Sequence, residues 1–465
     1  MKLVQLVSSV LLLASGLTTS CSVFGQSQLT GSQHASSSER EVGTLHFQPL
    51  VAEAAATGRQ PADTSGMGWL KTLLKQGVAY STEIQGAAAD YDAARGDIDQ
   101  IKGRRLPQVT LSSSSPVTQY GSGNRSQTQK DMSDSSLGIS VKTLVTDFGK
   151  TGLAIDGAET AARASEKGIE INRNQIMSSI ILTVLDIQQY GEQLAISKQH
   201  KARMDKLVGM LEQIVAQDQG RRSELVQARA RELQALTSIT RIESSIADSQ
   251  QKLIRLTGRT STVPASLDWR ALFIVNKSLE QNIKHNPEVE QSTLEYESGI
   301  KNVEALKRDY LPSVNFVINK STAKDDLGRE DAWSAGVNVE WSLYNGGTTA
   351  AAQRSAASRA TSSKMKSEQL VRDLEYRFRL LYQQRDMSYL NGTNFKDLAV
   401  ENGHIREMYY EQWFYLNKRS LLDVLGAENE YLNSQISSVN AYYDAYRNNI
   451  NLINIVNGMA TVFQL

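Results

Sequence analysis

Few residues of this 465-residue chain are typed and spaced for catalysis. There are five histidines and a single cysteine, and no G-x-S-x-G, H-E-x-x-H or C-x-x-C arrangement occurs. His404 and Glu407 stand three apart on a predicted helix, a pairing that belongs to a solvated face far more often than to a metal. His285 only precedes a helix cap, and "GSGNRSQ" lacks the glycine fingerprint and lysine of a phosphate loop. The sequence therefore argues against an enzyme and implies no cofactor, so any energy must come from a partner. Two acids stand out instead. "GRRSELVQARARELQA" (220–235) and "NKRSLLDVLGAENEYL" (417–432) each place a carboxylate, Glu224 and Asp423, just after a polar turn and at the start of a long amphipathic run. Read from the residues alone, each is a favourable charge in a first helical turn, worth about 0.3–1 kcal/mol.

The elements that carry these turns come twice. "STEI" (81–84) and "NPEV" (286–289) read as helix starts, with Ser81 and Asn286 as N-caps and Pro287 at the first helical position. "RRLPQVTL" and "DYLPSVNF" then stop each helix at Pro107 and Pro312. Caps and prolines share one offset of 205 residues. Such a period is too long for a solenoid unit of about 20–50 residues and implies two large copies of one architecture. Only seven prolines occur and none lies in 117–263 or 313–465, which leaves room for helices of some seventy residues, roughly 100 Å long. Helices of that length need a coiled-coil-like assembly to bury their stripes.

Between the short and long helices the pattern changes to period two. In "LGISVKTLV", Leu137, Ile139, Val141 and Val145 alternate with Ser140 and Lys142. In "WSAGVNVEWSL", Trp333, Ala335, Val337, Val339, Trp341 and Leu343 alternate with polar residues or glycine. Each has a weaker partner before it: Val109, Leu111 and Val117 in the first copy, and Val314, Phe316 and Ile318 in the second. Strands of about ten residues match a tilted transmembrane β-strand, with Ile139, Val141, Val337, Val339 and Trp341 towards lipid and the polar side towards water. Trp333, Trp341, Tyr310 and Tyr344 sit near strand ends, where interfacial aromatics belong. A soluble sheet with one buried face has the same pattern. In a bilayer, four strands could not stand alone, because their edge N–H and C=O groups would go unpaired; several chains must pool strands into one barrel.

The start, "MKLVQLVSSVLLLASGLTTSC", reads as a secretory signal over residues 1–20. Cys21 follows it in the position of a lipoprotein lipidation site; cleavage after Gly25 is the alternative. Residues 21–66 form an extended lead, 67–258 the first repeat, 259–278 an inter-repeat linker and 279–465 the second repeat. Zero formal net charge points to no nucleic-acid partner.

Taken in order and twice over, "STEI/NPEV", "LPQV/LPSV", "LVTDFGK/WSLYNGG" and "RRSELVQARA/KRSLLDVLGAE", with "LIRLTG" and "NIVNGMA" closing the copies, resemble the TolC family of Gram-negative outer-membrane channel proteins across roughly 70–465. The resemblance implies an α+β membrane protein in which four strands per chain pool into a 12-stranded barrel in a homotrimer. Very long helices continue as a coiled-coil tunnel through the periplasm. It implies a periplasmic adaptor and an inner-membrane transporter, ABC-type or proton-driven, as partners, and outer-membrane lipid around the strands. It places the entrance gate at the twice-spelled turns: Asp423 and Glu224 as entrance acids, Arg419 as the base that ties neighbouring helices, and Phe414, beside Tyr415, at the position of its usual tyrosine partner. The position of a further acid is Gly426, so the acidic ring is thinner. The second tip looks most like channels of type I protein secretion, which export adhesins or toxins. Drug or metal efflux is the alternative, and a periplasmic coiled-coil scaffold or adaptor is the alternative of another class.

Overall fold

The computed structural model describes residues 65–114, 135–274, 277–323, 329–330, 332–456 and 458–463. The expected signal peptide, Cys21, nearly all of the extended lead, and the first hairpin tip with Val117 lie outside these residues.

Eight helices and four strands are described in chain order: α1 (Ser65–Tyr80), α2 (Thr82–Gly103), β1 (Gln108–Ser114), β2 (Ser136–Thr146), α3 (Lys150–Gln217), α4 (Arg222–Thr257), α5 (Pro287–Lys307), β3 (Ser313–Ser321), β4 (Ser334–Glu340), α6 (Thr348–Phe414), α7 (Leu421–Val456) and α8 (Gly458–Phe463). From α2 to α4 and again from α5 to α7 the order is short helix, two strands, long helix, medium helix.

Local chemistry sets the boundaries. Ser81 Oγ accepts from the Ile84 N–H at 3.3 Å and Asn286 Oδ1 from the Glu288 N–H at 2.8 Å, so both caps satisfy donors that a helix start leaves orphaned. Asn286 also donates to the Ile455 carbonyl at 2.9 Å and so fixes the start of α5 against the end of α7. Gly149 (φ 91°) and Gly347 (φ 82°) turn the chain from the strands into α3 and α6 with left-handed backbone that a side chain would strain.

α3 and α6, of 68 and 67 residues, each span roughly 100 Å at about 1.5 Å per residue. Near the strands α3 packs between α2 and α5, and α5 packs on α6. Towards the other end α3 packs between α4 and α7, and α7 packs on α6. One side of this layer is thus α2 and α4, and the other is α6.

The main core lies midway along α3, where Met177, Ile180, Ile181 and Leu185 pack with Leu70 and Leu74 of α1, Leu253 of α4, Phe378 of α6 and Leu452 of α7. Part of it comes from residues 259–274, which the sequence presents as a linker. Here they form a strap: Trp269 is buried and donates from Nε1 to Gln188 Oε1 at 2.7 Å, and Arg385 donates to the Ile274 carbonyl at 2.6 Å. A second cluster, including Met204, Leu211, Trp413 and Leu425, closes the end remote from the strands.

Candidate functional site

The four strands form one antiparallel sheet in the order β1-β2-β3-β4. Its register separates two faces. Val109, Val141, Ile318 and Ala335 lie opposite one another across all four strands, flanked by the pairs Leu111–Ile139, Phe316–Val337 and Val314–Val339. Directly opposed residues share a face, so these make one apolar surface. The other face carries Gln108, Thr110, Ser112, Ser140, Asn315, Asn319, Ser334 and Asn338. Among the described residues the apolar side chains of the outer strands are exposed, Val109 and Val337 by about two-thirds and Leu111 by 74%, while Ile139, Val141 and Ile318 on the inner strands are half-buried. Both outer strands, β1 and β4, are exposed along their whole length and leave one row of backbone groups unpaired.

Two details differ from the sequence pattern. Val145 falls at a register shift between Leu144 and Thr146, where two β2 residues oppose one step of β3, so it is not part of the regular ladder. Trp341 lies outside the strand. The last pair of β3 and β4 is Ser313 with Glu340, and the next position on β3 is Pro312, which has no N–H to extend the ladder. Trp341 instead donates from Nε1 to the Tyr310 carbonyl at 3.0 Å, at the junction of sheet and helices.

At the opposite end, two turns close the helix pairs α3–α4 and α6–α7. Asp218 accepts from the Gly220 N–H at 2.9 Å in the first, and Asn417 takes left-handed backbone (φ 51°) in the second. Arg221 of the first turn donates to Asn417 Oδ1 of the second at 2.9 Å, which joins the turns. Asp423 accepts from both the backbone N–H (3.1 Å) and the hydroxyl (3.0 Å) of Ser420, while Ser420 Oγ accepts from the Asp423 N–H at 3.2 Å. This is a reciprocal capping box at the start of α7. Those Ser420 hydrogen bonds, with a smaller contribution from the Arg419 charge, hold the Asp423 carboxyl below its ordinary pKa.

Glu224 stands in the first turn of α4, where its Oε2 is buried with no hydrogen-bond partner among the described residues. Arg419 lies over the Tyr409 ring, 4.3 Å from its centroid, and donates to Gln412 Oε1 at 3.2 Å. Within one chain its aromatic contact is thus Tyr409. Phe414 stacks on Tyr410 (5.9 Å, 11°) and meets Tyr415 edge-on at 4.9 Å, with Tyr415 itself 73% exposed.

A group of charges above the tip has no local signal in the sequence. Glu428 of α7 is buried and accepts from Arg203 Nε of α3 at 2.9 Å. Arg406 of α6 lies 3.7 Å away and His200 of α3 3.6 Å. Both guanidinium groups also face the Tyr431 ring, at 5.3 and 5.0 Å. Burial works to raise the Glu428 pKa, but His200, Arg203 and Arg406 outweigh it and hold the carboxyl below its ordinary value. Arg203 and His200 stand more than 200 residues from Glu428 in the chain and Arg406 comes from a different helix, so neither spacing nor periodicity marks the group.

Among the described residues no helix is long and apolar enough to cross a membrane, which leaves the two-faced sheet to be placed. The sequence profile of the outer membrane efflux protein family matches residues 73–259 and 278–458, most of the chain. The chain belongs to that family. Among curated relatives, nodulation protein T of Rhizobium leguminosarum bv. trifolii is 22% identical over 314 residues, 64% of this chain and 66% of that protein. Outer membrane efflux protein BepC of Brucella suis biovar 1 (strain 1330) is 20% identical over 341 residues, 71% of this chain and 73% of that protein. Among solved structures, CusC superposes with a TM-score of 0.72 at 16% identity, covering 86% of this chain and 96% of its own. VceC from Vibrio cholerae gives 0.72 at 18%, covering 84% and 96%. The fold of this outer membrane efflux protein is thus that of the TolC-like channels, and the protein is an outer-membrane channel component reaching into the periplasm, not an enzyme.

Proposed function

We propose that three copies of this chain close into one duct through the outer membrane and periplasm. The observation that carries the reading is the coincidence of edges. The sheet runs β1-β2-β3-β4 and the helical layer runs from α2 and α4 through α3 to α6, so every layer ends on two different open sides. Two unlike edges favour a head-to-tail contact, which closes into a ring when the rotation allows. Exposed apolar side chains lie on both sides: Val226, Leu233 and Leu236 on α4, and Tyr376, Met387, Leu398 and Met408 on α6. A sheet with an uncovered apolar face and free edges is tolerated in lipid only as part of a closed barrel. Three copies supply twelve strands, with Ile139, Val141, Val337 and Val339 facing outer-membrane lipid and Trp341 at the periplasmic interface.

In this reading the joined turns form the periplasmic entrance. Asp423 and Glu224 from three copies ring it and favour cations, and Arg419, Phe414 and Tyr415 line the constriction. An adaptor and an inner-membrane transporter of ABC or proton-driven type hand cargo to it. Type I export of an adhesin or toxin is the reading carried by the second tip sequence. Drug or metal efflux is the second reading, favoured by the family's description and by the efflux name that BepC carries.

The test is conductance of purified protein in planar bilayers together with its mass in detergent. Discrete single-channel currents from a trimer are expected, with cation preference reduced by Glu224→Ala with Asp423→Ala. A monomer that leaves bilayers silent contradicts the duct, and unchanged selectivity removes the two acids from the pore.

A further inference from the structure

The polar face of the sheet has a composition that bears on cargo. Of the described strand residues only Lys142, Lys320 and Glu340 are ionisable. Lys320 pairs with Ile139 in the register and so belongs to the apolar face, near the hairpin end, where it meets Glu330 at 3.6 Å. The polar face keeps one cation and one anion. Around them, with Val317 and Leu144 on the same face, stand hydroxyls and carboxamides, several bonded to one another or to the ladder: Ser140 donates to Asn319 Oδ1 at 2.7 Å and Ser112 to the Gly138 carbonyl at 3.3 Å.

The two charges also lie apart. Lys142 pairs with Val317 and Glu340 with Ser313, four residues along β3, so their rows are separated by roughly 13 Å along the strand at about 3.3 Å per residue. That exceeds the screening length of about 8 Å at physiological salt. In a ring of identical copies each becomes one isolated, opposite and equal band of charge.

We propose that the membrane segment is a charge-balanced, hydrogen-bonding exit that does not sort cargo by charge. This rests on the duct reading and gives it a substrate class: hydrated chains bearing hydrogen-bonding groups, of either net charge. Selection by charge is left to the remote tip. The wall offers donors and acceptors that exchange readily with a passing amide or hydroxyl, and its two opposite bands of charge sum to zero.

Ion permeability ratios from reversal potentials in a salt gradient test this on the full channel. Lys142→Gln is expected to shift the ratio towards cations and Glu340→Gln towards anions, while the double variant returns to the wild-type value. Asn338→Asp, which adds a carboxylate to the Asn315 row, is expected to raise cation preference at least about twofold, and Ser140→Asp checks the same face in another row. A double variant that differs more than about twofold from wild type, or conducting Asn338→Asp and Ser140→Asp channels with unaltered ratios, overturns the proposal while leaving the duct standing. Absence of current from the wild-type protein overturns the duct reading itself.

Discussion

The two ends of this molecule are stabilised in different ways. At the tip, α3, α4, α6 and α7 bury Trp413, Leu211 and Leu425 together, and Glu428 binds three of the four helices through Arg203, Arg406 and His200. At the sheet, ladder hydrogen bonds and a few side-chain ones join the strands, the apolar residues of the outer strands are exposed and both edges are free. One chain therefore contains a finished tip and an unfinished sheet. In the duct reading, this contrast puts the contacts with neighbouring copies at the strands and along α4 and α6.

Substitutions can break that contrast, and the largest effects belong to the tip. Trp413 is 1% exposed, so Trp413→Ala is expected to cost about 4 kcal/mol in denaturant unfolding followed by helix circular dichroism. Glu428→Ala leaves Arg203 without its carboxylate, while Arg406 keeps Glu407, and is expected to cost about 3 kcal/mol in the same assay. Ser420→Ala removes the α7 cap and is expected to cost about 1 kcal/mol. Val337→Ala, at the bare face, is expected to change the stability of an isolated chain by less than about 0.5 kcal/mol, with its effect appearing as weaker recovery in membranes. A large stability loss for Val337→Ala in detergent-free monomer would mean that the chain covers its own apolar face.

Acidity sharpens the same comparison. Glu428 and Asp423 both have folded pKa values below the ordinary ones of 4.5 and 3.8. A depressed pKa contributes stability that is present above the unfolded value and lost as pH falls through the folded value. Tip stability is therefore expected to hold from neutral pH to about 4.5 and to decline only in stronger acid. A stability titration with a midpoint near pH 6 would contradict this assignment.

Much of the fold is legible in the sequence because its signals are local. Ser81, Asn286, Pro107 and Pro312 act within one turn of where they stand, and strand alternation needs only neighbouring residues. The strap at 259–274 and helix α1 carry no paired motif, and their places are fixed by Trp269, Leu70 and Leu74 entering a core built from distant helices. Trp341 continues the alternation of β4 in sequence, yet the ladder stops before it because the partner strand runs into a proline. At the tip, the turn and its acids are readable, while the Glu428 group and the Arg221–Asn417 bond depend on two hairpins meeting in space. Arg419 shows the same limit within the chain: the Tyr409 ring beside it is brought there by the fold of the turn, not marked by spacing.

Cross-linking between strand edges tests the ring most directly. In a Cys21→Ser background, Ser334→Cys or Asn338→Cys on β4 is combined in turn with Gln108→Cys, Thr110→Cys, Ser112→Cys or Ser114→Cys on β1. The set spans the free edges because strand tilt staggers the rows where a barrel closes. Oxidation in outer-membrane vesicles is expected to give covalent dimers and trimers on a denaturing gel for at least one pair, with the ladder ending at three. Monomer alone from every pair after complete oxidation, or a ladder that continues past three, would contradict closure of three copies through these edges.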